Sequence, residues 1–399
     1  MKPEGHSSNY HMSYGKQYMT LLGLWPVTYT EVKKTLYDYY FKVSFAYYCI
    51  FVITQLIDAA INLQRSLDAF AAGIGVTLGY ATCVLKVHII KSDKFVNIIY
   101  FIEKNEQEIT KSYDENIIEI YKKSDRFSKK FEIFFLTFVL TGATLYCTEP
   151  VIEEIMQFQN TTGNTTHNVI VSSWFPFDKN EHYLIVYTIQ FVACIYGTGY
   201  IFFTQAFYFS ILRYIVGQLE IICYLFKNFS ETSHMFMAVK HLAPTEKSQE
   251  LFLKTLIQKH QRCIRLVEEV NTCLKTVILL DFGISSFQLA MIVYQLLHLS
   301  GFKQFALFTF FLATNIQLCF LYWNGNEIFY KSQEIAMSIQ ESDWNTYPTK
   351  LVKMMLFVIV RAQKPVRLNI GPMGNVQLSA LFQIYKAIYS YLCLVLNTE

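Results

Sequence analysis

Charged side chains are scarce in this chain. Asp, Glu, Lys and Arg make up 16% of its 399 residues, against about 25% in ordinary soluble domains. A water-soluble globule is therefore excluded unless the apolar residues are evenly dispersed. They are not: the 53% that are hydrophobic fall in long runs. The net charge of +3 is too small to mark a nucleic-acid binder. No pair among the nine cysteines occupies a loop at framework spacing, and Cys49, Cys83, Cys194, Cys319 and Cys393 lie inside apolar runs, so a disulfide scaffold is not expected. Cys147, near an outer helix end, is the one cysteine that stands apart from these. Residues 1–20 are polar and lack an apolar core, so no cleavable signal peptide is expected. There is no His-Glu-x-x-His, no Gly-x-Ser-x-Gly and no phosphate loop, which argues against an enzyme. His88, His182, His234, His241, His260 and His298 are scattered, so neither a metal site nor a cofactor is expected. Internal repeats and low-complexity segments are missing too, and repeated halves are what a transporter would show.

What the chain does have is a series of apolar stretches of membrane length. They lie at about 40–61, 69–90, 131–150, 183–212, 276–299, 303–323 and 376–396. The expected fold is all-α and integral to a membrane, one domain over 1–399 with seven transmembrane helices. The short apolar piece Leu21 to Pro26 cannot span and reads as an interfacial lead-in. The second stretch is rich in small residues (Ala71, Gly73, Gly75, Gly79), which permit close packing or leave room for a ligand. The third is expected to stop at Glu149-Pro150. The fourth, uncharged over 183–212, outruns a ~30 Å hydrocarbon core at ~1.5 Å per residue, so it must tilt or project. An amphipathic stripe (Leu253, Leu256, Ile257, Ile264, Val267) predicts that the fifth helix extends beyond the bilayer. Residues 347–363 have an apolar centre too short for lipid, bracketed by Lys353 and Arg361, and are expected to form a helix in a bundle outside the membrane.

The last stretch is the most informative. Breakers precede it: Pro365, Gly371-Pro372 and Gly374. On a helix advancing about 100° per residue, Ser379, Gln383, Lys386, Ser390, Leu394 and Asn397 fall within roughly 80° of arc. Polar groups do not face lipid cheaply, so this stripe should face protein or water. Two readings remain open at this point: a pore lining with Leu394 as a hydrophobic constriction, or a polar seam between neighbouring helices.

The placement of charge gives the orientation. Of the 34 Lys and Arg residues, 29 lie in 1–38, 86–130, 213–275 and 324–373, whereas the alternate segments carry only Arg65, Lys179 and Lys303. Positive loops stay inside, so the N-terminus is expected in the cytoplasm and the C-terminus outside. The sequons at Asn160 and Asn164 then face outward as glycosylation candidates, and the one at Asn228 faces inward and is expected to stay unused. This is opposite to a G-protein-coupled receptor.

With that polarity, several motifs resemble the insect odorant receptor family over essentially the whole chain, in its ligand-tuning branch. They are Trp174-Phe175-Pro176-Phe177-Asp178, Tyr322-Trp323-Asn324-Gly325-Asn326-Glu327, Trp344 with Tyr347-Pro348-Thr349, Gln363-Lys364-Pro365, and Lys386-Ala387-Ile388-Tyr389-Ser390-Tyr391. The ending Ser390-Tyr391, five residues, Asn397-Thr398 only partly echoes the gustatory pattern, and the segment 213–275 is too short for the shared co-receptor. The resemblance implies an odorant-gated, non-selective cation channel in the plasma membrane of olfactory neuron dendrites. It also implies assembly with an obligate co-receptor as a heterotetramer, in which the last helix lines the pore and 347–363 belongs to a cytoplasmic anchor. Leu394 would match the gate and Asn397 its polar neighbour, with Gln383, Lys386 and Ser390 along the conduit. Lys386 would repel cations at a narrow point, so it is expected in a wider vestibule, paired, or snorkelling. A small volatile ligand would bind in the outer halves of spans two, three, four and six. Those halves offer Thr77, Tyr80, Thr141, Thr144, Tyr146, Tyr187, Phe191, Ile195, Phe305 and Phe308. A gustatory-type channel and a metabotropic seven-helix chemoreceptor are the alternatives.

Overall fold

The structure, a computed structural model, describes residues 13–25, 31–65, 67–158, 168–299 and 301–396. Eleven α-helices are described: α1 (Ser13–Leu21), α2 (Glu31–Leu63), α3 (Leu67–Ile90), α4 (Asp93–Thr110), α5 (Glu115–Phe158), α6 (Tyr183–Lys227), α7 (Phe229–Val239), α8 (Glu246–His298), α9 (Phe302–Gln340), α10 (Thr349–Ala362) and α11 (Leu378–Leu396). Among the described residues there is no β-strand, only one isolated bridge between Asn369 and Asn375. Six helices, α2, α3, α5, α6, α8 and α9, are long and apolar enough to cross a membrane, by length and composition. α11, at 19 residues, is the seventh apolar helix. The expected all-α membrane architecture is therefore what the chain forms.

Most of the spanning helices are much longer than a bilayer needs. α6 runs for 45 residues and α8 for 53, where about 20 suffice. α8 begins where Thr245 caps it, its hydroxyl accepting from the Ser248 amide. It then continues unbroken through the stripe of Leu253, Leu256, Ile264 and Val267, all buried, into the apolar part. The amphipathic stripe and the span are thus one helix, as expected. α10 packs on this extension and on the far end of α9. Leu351, Met355, Val358 and Ile359 form its buried face. Lys350 at its start pairs with Glu250 of α8 at 2.6 Å.

One boundary differs. α5 does not stop at Glu149-Pro150 but carries Pro150 inside the helix and ends at Phe158. Proline removes one backbone donor and need not break a helix whose neighbours hold the flanking turns. Here the Tyr187 hydroxyl donates to the Cys147 carbonyl at 2.8 Å, and Glu149 pairs with Lys303 of α9 at 3.5 Å.

α6 is the axis of the bundle. It packs against α5 and α9 and touches α2, α3 and α8, so almost every residue from Phe202 to Phe226 is buried. α11 lies against α8 and α9. The chain reaches it through a tight reversal, in which the Ile370 amide donates to the Gly374 carbonyl and the Val376 amide to the Leu368 carbonyl. Gly374, at φ 124, permits the reversal. Gly325 permits its docking: a Cβ there would sit 2.3 Å from the Val376 carbonyl oxygen. The glycine of the Tyr322–Glu327 motif is thus a packing requirement, set by the approach of the last helix.

Candidate functional site: an apolar cavity and an outward polar stripe

An apolar cavity lies between α3, α5, α6 and α9, the four helices that carry the second, third, fourth and sixth spans. Its free space is about 90 Å³, on a measure where one water takes roughly 10–15 Å³, so it admits a small organic molecule. From α5 it draws Phe135, Phe138, Val139, Gly142, Ala143 and Tyr146; from α9, Phe310, Ala313, Thr314 and Gln317. α3 contributes Val76 and Tyr80, and α6 contributes Cys194, Thr198 and Ile201. These residues recur at helical spacings of three and four, so each helix presents one stripe. Gly142 and Ala143 make the space by being small. Gly197 does so less directly, since a Cβ there would lie 2.9 Å from the Tyr80 ring.

The 168–182 loop closes one end, and Val171 is its contribution to the lining. Gln190 of α6 holds it, donating to the Val171 carbonyl at 2.8 Å and to Ser173 Oγ at 2.7 Å. The Trp174 amide donates to the Thr54 carbonyl of α2 at 3.0 Å. Asp58 of α2 accepts from the Ser172 hydroxyl and faces Lys179 at 3.4 Å. The Trp174–Asp178 motif belongs to this fixed lid.

Of the ten candidate ligand contacts, Tyr80 and Tyr146 line the cavity. Tyr80 donates to Cys194 Sγ at 3.8 Å, and Tyr146 meets Phe310 edge to face. The other eight lie elsewhere. Thr77 is buried and donates to the Gly73 carbonyl. Thr141 and Thr144 are exposed and bond back to Thr137 and Leu140 of their own helix. Tyr187 bonds to Cys147 at the Pro150 turn. Phe191, Ile195, Phe305 and Phe308 face outward, Phe305 with 67% of its surface exposed.

α11 settles which way its polar stripe points within the chain. Its packed face is Ala380, Leu381 and Ile384, all buried. Ser379, Gln383, Lys386 and Ser390 are exposed on the opposite side, and Leu394 is 65% exposed. Among the described residues, no helix covers this stripe. Asn397, Asn160 and Asn164 lie outside the described residues. Asn228 closes α6 with its amide donating to the Tyr224 carbonyl at 3.1 Å. Cys147 is a free thiol.

Comparison with known proteins agrees with this architecture. The chain is 26% identical to Odorant receptor 10 of Aedes albopictus over 150 residues, 37% of this chain and 40% of that protein. It is 22% identical to Odorant receptor 67c of Drosophila melanogaster over 265 residues, 65% of this chain and 63% of that one. The matched stretches thus span less than two thirds of either relative. In three dimensions it superposes on the olfactory receptor OR5 of Machilis hrabei, solved in complex with eugenol, with a TM-score of 0.81. That match has 14% identity and covers 97% of this chain and 98% of that one, and so speaks to the fold. The family profile described as 7tm Odorant receptor matches residues 66–389, and the chain therefore belongs to the insect odorant receptor family.

Proposed function

We propose that this chain is the odorant-tuning subunit of a ligand-gated, non-selective cation channel. It assembles with a co-receptor as a heterotetramer in the plasma membrane of olfactory neuron dendrites. The observation that carries this reading is the exposure of the α11 stripe. Four polar side chains and Leu394 stand on the outer face of a single subunit, and lipid is a poor neighbour for them. Placing that face on the axis of a ring gives it water and the same stripe from other subunits. Leu394 then forms an aliphatic constriction between polar steps. On the basic-loop count, the N-terminus and α10 lie in the cytoplasm, Asn160 and Asn164 lie outside, and α11 ends outside.

The cavity is the ligand site in this reading. Its walls are aromatic and aliphatic with few polar groups, as a small volatile molecule requires. α9 lines the cavity and also supports α11, which gives ligand and pore a shared element. A ligand opens the gate only by binding the open state better, and a tenfold shift needs about 1.4 kcal/mol of difference. Coexpression with a co-receptor and an odorant panel tests the reading: odour-evoked cation current is expected. Leu394→Ala should raise the resting leak by widening the constriction. The absence of evoked current with every co-receptor tried would count against the assignment.

A further inference from the structure

A second, smaller cavity adjoins the first. It holds about 40 Å³ of free space and shares Ile201, Phe310, Thr314 and Gln317 with it, so these four side chains form the seam. Its character is different. The upper chamber is apolar; the lower one is lined by Gln205, Asp281, Ser285, Gln288 and Lys86 among others. On the assumption that the upper chamber holds the odorant, we propose that the two chambers together select neutral molecules with one polar head. The hydrocarbon part fills the apolar chamber, and a single oxygen function sits at Gln317, directed into the polar one.

Three observations carry this. The first is the seam. The Thr314 hydroxyl is already committed to the Phe310 carbonyl at 3.0 Å. The Gln317 amide has no hydrogen-bond partner among the described residues, although it borders both chambers. An inward-facing amide gains a partner from an alcohol, aldehyde, ketone or phenol and gains nothing from a hydrocarbon.

The second is charge. Lys86 Nζ and Asp281 Oδ2 are 2.8 Å apart, with 4% and 10% of their side chains exposed. The lower chamber is therefore polar but electrically closed. A carboxylate head would add an unpaired negative charge beside Asp281, and an ammonium head an unpaired positive one beside Lys86; both are costly away from water. The third is position. Asp281, Ile284, Ser285 and Gln288 bring α8 into the lower chamber, whereas no α8 residue lines the upper one. α11 leans on α8. A polar head at the seam thus approaches a helix that supports the pore, which a hydrocarbon confined above does not reach.

The test uses full-length channel purified with its co-receptor, and co-receptor channels lacking this chain as the blank. Matched sets of alkane, primary alcohol and carboxylate, on linear skeletons of four to ten carbons, are titrated at equal aqueous activity, with binding read from the shift in melting temperature. On any skeleton that binds, the alcohol is expected to bind about fivefold or more tighter than the alkane and the carboxylate. Gln317→Leu and Gln317→Met should each bring the alcohol down to the alkane's affinity. A ligand-free melting temperature within a few degrees of the parent's shows that the variants are folded. Equal binding of alkane and alcohol by the parent, tightest binding by the carboxylate, or an alcohol preference that survives both variants would overturn the proposal. Odour-evoked current would still stand in those cases, so the receptor reading would survive. No binding on any skeleton would overturn the proposal and the ligand site together.

Discussion

Lys86 and Asp281 illustrate what a single buried pair does in this fold. They join α3 to α8 within the bundle, where both side chains are almost fully covered. Breaking such a pair leaves one charge uncompensated, at about 3–5 kcal/mol, whereas replacing both partners with apolar groups is often near neutral. Lys86→Met or Asp281→Leu alone should therefore strongly destabilise the protein, and the double variant should recover most of the loss, as read by thermal unfolding of the purified protein. Additive losses would show that the two charges act independently. Asp281 is a charge within the fifth apolar stretch, and Lys86 of the second stretch is its partner. The pocket residues were less legible. Thr141 and Thr144 are the kind of polar residue a ligand could use, but a helical threonine can satisfy itself on the carbonyl four residues earlier, and both do. Phe191, Phe305 and Phe308 are indistinguishable in composition from Phe135 and Phe310. In a helix apolar all round, hydrophobicity does not say which side meets protein and which meets lipid. The small pair Gly142-Ala143 within a stripe of larger residues was the available signal.

At the scale of the element, the apolar runs located the spanning helices because lipid demands length and the backbone must bond to itself. They did not locate the helix ends, since α5, α6, α8 and α9 each run on as one helix beyond the apolar run. Pro150 shows the same limit from the other side: it reads as a stop and is carried within α5. The junction of α8 with α10 gives this extension a measurable property. His260 of α8 is buried. Burial, reinforced by Arg361 of α10, lowers its imidazole from the ordinary 6.5 to about 4. The folded state thus holds it neutral while the unfolded chain takes up a proton. That contribution is fully present above about pH 6.5 and is lost as pH falls towards about 4, on the order of 3 kcal/mol in all. His260→Gln should flatten the acid side of the stability curve over that window, measured by hydrogen exchange of α8 and α10 against pH. An unchanged slope would show that His260 is not the group responsible.

At the scale of the whole molecule, two helices leave faces uncovered among the described residues. α11 keeps its apolar face against α8 and α9 and turns Ser379, Gln383, Lys386, Ser390 and Leu394 outward. α10 likewise leaves Leu356, Phe357 and Val360 uncovered. Both exposures make sense if copies meet around an axis, through α10 outside the bilayer and α11 within it. The most direct measurement of the central claim is cysteine accessibility along α11 in channels passing odour-evoked current. Cysteine at Gln383, Ser390 and Leu394, one position at a time, should let a charged, membrane-impermeant thiol reagent alter the current beyond any effect on the parent. Cysteine at buried Leu381 and Ile384 should not. Modification at Leu381 and Ile384 with none at Gln383, Ser390 or Leu394 would contradict a conduit lined by this stripe.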